Sequence, residues 1–86
     1  MMNETVFLKY PITINGLQVD SVTMRRPTVG DLLDAERGGA DDKTAEIRLM
    51  ANLCQLSPDD IKLLDLYDYG KLQTQLGKFQ SEQTPT

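Results

Sequence analysis

The sequence predicts an α+β domain in which an N-terminal bent β-hairpin precedes three to four short α-helices. Three observations carry this reading. Thr5 to Met24 alternates apolar and polar residues, with β-branched and aromatic enrichment, as a half-buried strand does. Asn15-Gly16 interrupts that run with a pair suited to a two-residue turn, since both residues tolerate positive φ. After Pro27 the apolar spacing changes to three and four, the helical period. One domain is expected, with the hairpin at about 5–26, the helical part at about 28–79 and a disordered tail at about 80–86.

In the first strand Val6, Leu8 and Tyr10 share one side, and Pro11, lacking an N–H, interrupts the ladder or places it at an edge. The return strand carries Leu17 and Val19 in one phase and Val22 and Met24 in the other, so a bulge is expected near Asp20-Ser21. Arg25-Arg26-Pro27 closes the hairpin. Thr28 can cap a helix of about nine residues, with Asp31 at its third position facing the positive dipole end. Val29, Leu32 and Leu33 follow helical spacing there, and Gly38-Gly39 ends the helix. The second helix starts at Asp41 or Asp42 and runs to Cys54 or Gln55. Its face carries Ile47, Met50, Ala51 and Cys54, widened by Leu49 and Leu53. Ser57-Pro58-Asp59-Asp60 is a helix start, and Asp65 is a second one. The last helix, about three turns long, repeats Tyr69, Leu72, Leu76 and Phe79. Gly70 within it lowers its stability by ~1 kcal/mol relative to alanine.

Composition narrows the function. The 86 residues include 40% hydrophobic and 26% charged residues, as in a globular protein, but so short a chain has a thin core. A single cysteine allows no internal disulfide, and without histidine there is no conventional zinc site. Further copies of the chain are then the expected support, so a homo-oligomer is anticipated. The absence of histidine also removes the commonest general base, and a non-enzymatic role without cofactor or metal follows as the expectation. A net charge of −4 disfavours nucleic acid. No run approaches the ~20 apolar residues of a membrane span, and Met1-Met2-Asn3-Glu4 lacks the pattern of a signal peptide, so a cytoplasmic protein is expected.

The acids Asp59, Asp60, Asp65 and Asp68 lack the spacing of a calcium loop and read as helix-start residues. Cys54, on an apolar stripe with no base, reads as a small buried hydrophobe. The candidate partner-binding residues are Arg25, Arg26, Tyr67, Leu72, Leu76 and Phe79. Adjacent strand residues point to opposite faces, so the domain's own acids can sequester at most one of Arg25 and Arg26. The other is left for a partner, which its planar fork would recognise specifically. Tyr69 is in register with Leu72 and Leu76 and belongs to packing, which leaves Tyr67 exposed.

The order of several short segments goes further. These are Val-Phe-Leu-Lys-Tyr-Pro-Ile at 6–12, Val-Thr-Met-Arg-Arg-Pro-Thr-Val-Gly-Asp-Leu-Leu at 22–33, Leu-Cys-Gln-Leu-Ser-Pro-Asp-Asp-Ile at 53–61 and Leu-Asp-Leu-Tyr-Asp-Tyr at 64–69. In this arrangement the chain, over about residues 5–79, resembles the short tail assembly chaperones of contractile-tailed, Mu-like bacteriophages and prophages. The resemblance implies a non-catalytic protein of the host bacterial cytoplasm that binds and solubilises the tape measure protein during tail assembly. It also implies absence from the mature virion. A structural head–tail or baseplate component is the alternative. A small DNA-binding regulator is a poorer one, since Lys43, Arg48, Asn52 and Gln55 are spread around the second helix beside Glu46.

Chaperones of this kind are often made in two lengths by a ribosome slipping back one nucleotide. Leu76-Gly77-Lys78 can be encoded CUG GGA AAG, which contains the slippery heptamer G-GGA-AAG. The expectation is a longer frameshifted form sharing residues 1 to about 78, whose extension carries much of the tape-measure contact. Mass spectrometry of infected or induced cells should then detect a minor species that continues past Lys78 into a different sequence. Other codons at this point, or an immediate stop in the −1 frame, rule out slippage here.

Overall fold

A computed structural model describes residues 3–81. Strands β1 (Asn3–Ile14) and β2 (Leu17–Arg25) form one antiparallel hairpin. Helices α1 (Val29–Ala35), α2 (Asp42–Cys54), α3 (Pro58–Ile61) and α4 (Leu66–Ser81) follow, with a 3₁₀ turn at Arg37–Gly39 after α1. The α+β class and the order of hairpin and helices are as the sequence predicts. Asn15 and Gly16 make the turn with φ of 51° and 81°. Such a turn matches the right-handed twist of the strands. Gln80 and Ser81, expected in a disordered tail at about 80–86, belong to α4; the remainder of that expectation lies outside the described residues.

The hairpin bends where the return strand changes phase, but the extra residues lie on the opposite strand from the one expected. Phe7 pairs with Ser21 and Ile12 with Val19, so Leu8, Lys9, Tyr10 and Pro11 of β1 all stand against Asp20 of β2. Pro11 cannot donate to the ladder, and the irregularity spares β2 that mismatch. Leu8 and Ile12 stay buried with Val6, whereas Tyr10, expected beside them, turns to solvent.

What replaces the lost ladder is a carboxylate. The N–H groups of Lys9 and Tyr10 donate to Asp68 Oδ1 and Oδ2 of α4 at 2.8 and 2.9 Å. One turn further on, Lys71 Nζ donates to the carbonyl of Phe7 at 2.9 Å. Asp68 is 0% exposed. Burial pushes its carboxyl upward, but the two N–H donors and the Lys71 ammonium, 3.6 Å away, outweigh it and hold it below its ordinary value. Asp68 is therefore more than a helix-start acid: it joins the last helix to the first strand.

One face of the hairpin packs on α2 and α4. Met24, Met50, Leu53 and Leu72 are the most enclosed apolar side chains, and α1 and α3 pack on α2. The rotation of α1 departs from its apolar spacing. Asp31 and Ala35 face inward, while Val29, Leu32 and Leu33 face solvent. The helix is seven residues long, shorter than expected, and Gly38 and Gly39 turn the chain away from it with φ of 76° and 71°. Helix α4, by contrast, runs 16 residues through Gly70 without interruption.

Replacing Asp68 by alanine leaves two part-buried strand N–H groups without acceptors and a void where the enclosed carboxylate stood. The expected loss is about 3 kcal/mol, read in urea unfolding as a lower midpoint. Asp65, whose carboxylate caps α4 by accepting from the Tyr67 N–H at 2.9 Å, is exposed, and Asp65→Ala should cost only about 1 kcal/mol. Equal losses in the two variants would reduce Asp68 to another cap.

Candidate functional site

The six residues singled out in the sequence do not form one surface. Arg25, at the end of β2, makes a two-pronged contact with Asp31: Nη1 donates to Oδ2 at 2.7 Å and Nη2 to Oδ1 at 2.8 Å. The same carboxylate accepts from the Thr28 N–H at 2.8 Å and from Asn52 Nδ2 at 3.0 Å. Thr28 Oγ1 in turn accepts from the Asp31 N–H, which completes a capping box. The Arg25 hydrogen bond, helped by Thr28 and opposed by burial, holds the Asp31 carboxyl well below the usual carboxylate range. Strand, helix α1 and helix α2 thus meet at one charge, and this sets the rotation of α1. Apolar spacing in seven residues has too little area to override it.

Arg26 is exposed, yet it also has an internal role. Its Nη2 donates to the Phe79 carbonyl at 3.4 Å, and its guanidinium carbon lies 5.3 Å from the centre of the Phe79 ring. Arg25 is held by the domain's own acid, as expected for one of the pair, and Arg26, though exposed, also reaches Phe79 of its own chain. Arg26 reaches a carbonyl in the last turn of α4, where a cation is favoured. Leu72 and Phe79 are buried and Leu76 packs against the same core, so this stripe covers the hairpin.

Tyr67 is the member of the set that faces outward, at 56% exposure. Its ring meets that of Tyr10 edge-on, with centroids 6.4 Å apart. The ammonium groups of Lys9 and Lys71 lie 5.4 and 5.1 Å from the Tyr67 ring centre. Phe7, also exposed, precedes Lys9 on the same strand and lends its carbonyl to Lys71. Aromatic rings flanked by lysines at the junction of β1 and α4 form a surface able to grip apolar side chains.

Sequence reasoning missed the outward apolar residues of α1 and, at the α3–α4 junction, Leu63 and Leu66. Apolar spacing alone gives a helix two possible rotations; the available signal was Asp31 six residues after Arg25, in reach of a capping position.

The remaining chemistry is quiet. Tyr69 Oη donates to Glu46 Oε2, which also accepts from Gln73 Nε2 at 2.9 Å. Burial and the Glu46 carboxylate raise the Tyr69 hydroxyl, while the Tyr69 bond outweighs burial in lowering Glu46. Burial pushes the Cys54 thiol up to about 11, as suits a packing residue. No group of three His, Cys, Asp or Glu is arranged to hold a metal among the described residues. Arg48 donates to the carbonyls of Ala35 and Arg37, and Asn52 to Asp31, so two of the side chains a DNA-reading helix would need are spent inside the fold.

Residues 5–81 match a family model described as phage tail assembly chaperone proteins, E, or 41 or 14. The chain belongs to this phage tail assembly chaperone family. No curated protein and no solved structure matches it. The chaperone therefore joins a family whose role is non-enzymatic, in keeping with a surface of apolar and aromatic residues.

In the chaperone the Asp31 carboxyl is lowered by folding, which fixes the sign of its pH dependence. Its contribution is complete above the ordinary carboxylate value near pH 4 and is lost as pH falls below it. Thermal melts between pH 6 and pH 2 should show a steeper fall in Tm for the wild type than for Asp31→Asn. Parallel curves would mean that this carboxylate does not couple to folding.

Proposed function

We propose that this chaperone binds the tape measure protein of a contractile-tailed, Mu-like phage or prophage and keeps it soluble until the tail tube forms. Beyond the family, one observation supports the reading. Nine large apolar residues stand exposed among the described residues, more than scattered surface positions explain in so small a chain. A tape measure presents long amphipathic helices, and the Tyr10–Tyr67 pair with exposed Phe7 offers apolar side chains to the face of such a helix. Several copies act together on one long target, gaining avidity, and the longer frameshifted form is a second participant. The chaperone works in the host bacterial cytoplasm and leaves before the virion is complete. It contacts neither nucleic acid nor membrane; no helix among the described residues is long and apolar enough to cross a bilayer.

Co-expression with the tape measure protein of the same phage or prophage tests this. The wild-type chain should keep the tape measure in the soluble fraction and co-purify with it. Phe7→Ser combined with Tyr67→Ser, both at exposed positions, should cut recovery at least fivefold with Tm unchanged. An undiminished recovery would move the contact elsewhere, and a tape measure that is never retained would refute the role. Purified virions containing the chain in stoichiometric amount would favour a structural tail component.

A further inference from the structure

Helix α1 presents a largely exposed apolar face. Val29 is 75% and Leu33 65% exposed, and Leu32 lies beside them. Asp34 and Glu36 follow on the same short helix and its cap; Asp34 is shared with Arg37, whereas Glu36 makes no ion pair among the described residues. On another part of the molecule an apolar cleft of about 300 Å³ opens between α2, α3 and α4, lined by Ile47, Ile61, Leu66 and Tyr69. Its cations are Lys43 and Lys62. Each is exposed and only loosely paired within its own helical turn, at 3.7 Å to Glu46 and 3.6 Å to Asp59. Pairs so exposed and so long hold their lysines weakly.

The two features complement each other: the apolar ridge ends in the Glu36 carboxylate, and the apolar hollow is rimmed by two loosely held lysines. They also lie on different sides of α2. Arg48 and Asn52, a turn apart, hold α1. Lys43 and Ile47, also a turn apart, border the cleft, roughly 140° away around the helix axis. A chain therefore cannot place its own α1 in its own cleft.

We infer that α1 of one copy docks in the α2–α3–α4 cleft of a second copy, with Leu33 entering the hollow and Glu36 meeting Lys62. With ridge and cleft on different sides of α2, the copy seated in one cleft turns its own cleft away, so the contact propagates head to tail into a ring or a filament instead of closing reciprocally as a two-fold dimer. This rests on the reading that several copies act together, but not on the identity of their target.

Sedimentation velocity of the full chain without tape measure tests the contact, over concentrations of about 1–100 μM. The wild type should pass beyond a dimer as concentration rises. Leu33→Asp and Glu36→Lys, at exposed positions, should each weaken association at least tenfold while retaining the wild-type circular dichroism spectrum. Adding Lys62→Glu to Glu36→Lys should restore much of it. The Phe7→Ser/Tyr67→Ser chain should associate normally, so loss of tape-measure capture and loss of self-association can be told apart. A wild type that stays monomeric at the top concentration, or stops at a dimer, overturns the inference. So do Leu33→Asp and Glu36→Lys variants that associate like the wild type, or a double variant no better than Glu36→Lys.

Discussion

The fold depends on a carboxylate placed where a β-ladder fails. A two-stranded hairpin is marginal in water, and this one loses pairing across four residues of its longer strand. Left alone, the part-buried N–H groups of Lys9 and Tyr10 would lack their acceptors, a defect a small domain can ill carry. Asp68 removes that defect and imposes a geometry in doing so. Two acceptor oxygens on one side chain meet two successive strand donors, so the first turn of α4 has little freedom in position or rotation. Leu72 and Phe79, further along the same helix, then cover the hairpin face.

Asp31 does for the other strand what Asp68 does for the first. It is a helix-borne carboxylate tied to the hairpin, here through the Arg25 guanidinium. In both cases a charge near a helix N-terminus is drawn away from solvent by partners distant in sequence. The apolar core is small enough that these polar contacts decide how elements are turned. For α1 the consequence is visible at the surface, because satisfying Asp31 exposes the leucines. Apolar exposure in this chaperone thus has a structural cause, and it is the kind of surface on which a protein-binding role can be built.

Elements with local signals were legible in the sequence. The Asn15-Gly16 turn, the Thr28 and Ser57 capping boxes, the span of α2 and the glycine stop after α1 each follow from residues close together. The phase change between Val19 and Val22 was legible too, but alternation cannot say which strand holds the surplus. The rotation of α1, the outward turn of Tyr10 and the true role of Asp68 depend on contacts between distant segments. For the candidate site, Tyr67 was recognisable because Tyr69 claimed the core. The contact of Arg26 with Phe79 was not legible, because facing rules for adjacent strand residues say nothing about partners arriving from helices.

The partners of Asp68 lie 59 and 58 residues before it. During synthesis the hairpin emerges from the ribosome long before the residue that completes it. Until α4 follows, the first strand carries unsatisfied donors and an uncovered apolar face, so the hairpin cannot rest as an independent early unit. The hairpin therefore waits on α4, and a contact of such long sequence separation is slow to close. Until that contact closes, an uncovered strand face is what a ribosome-bound chain of this kind offers to its surroundings.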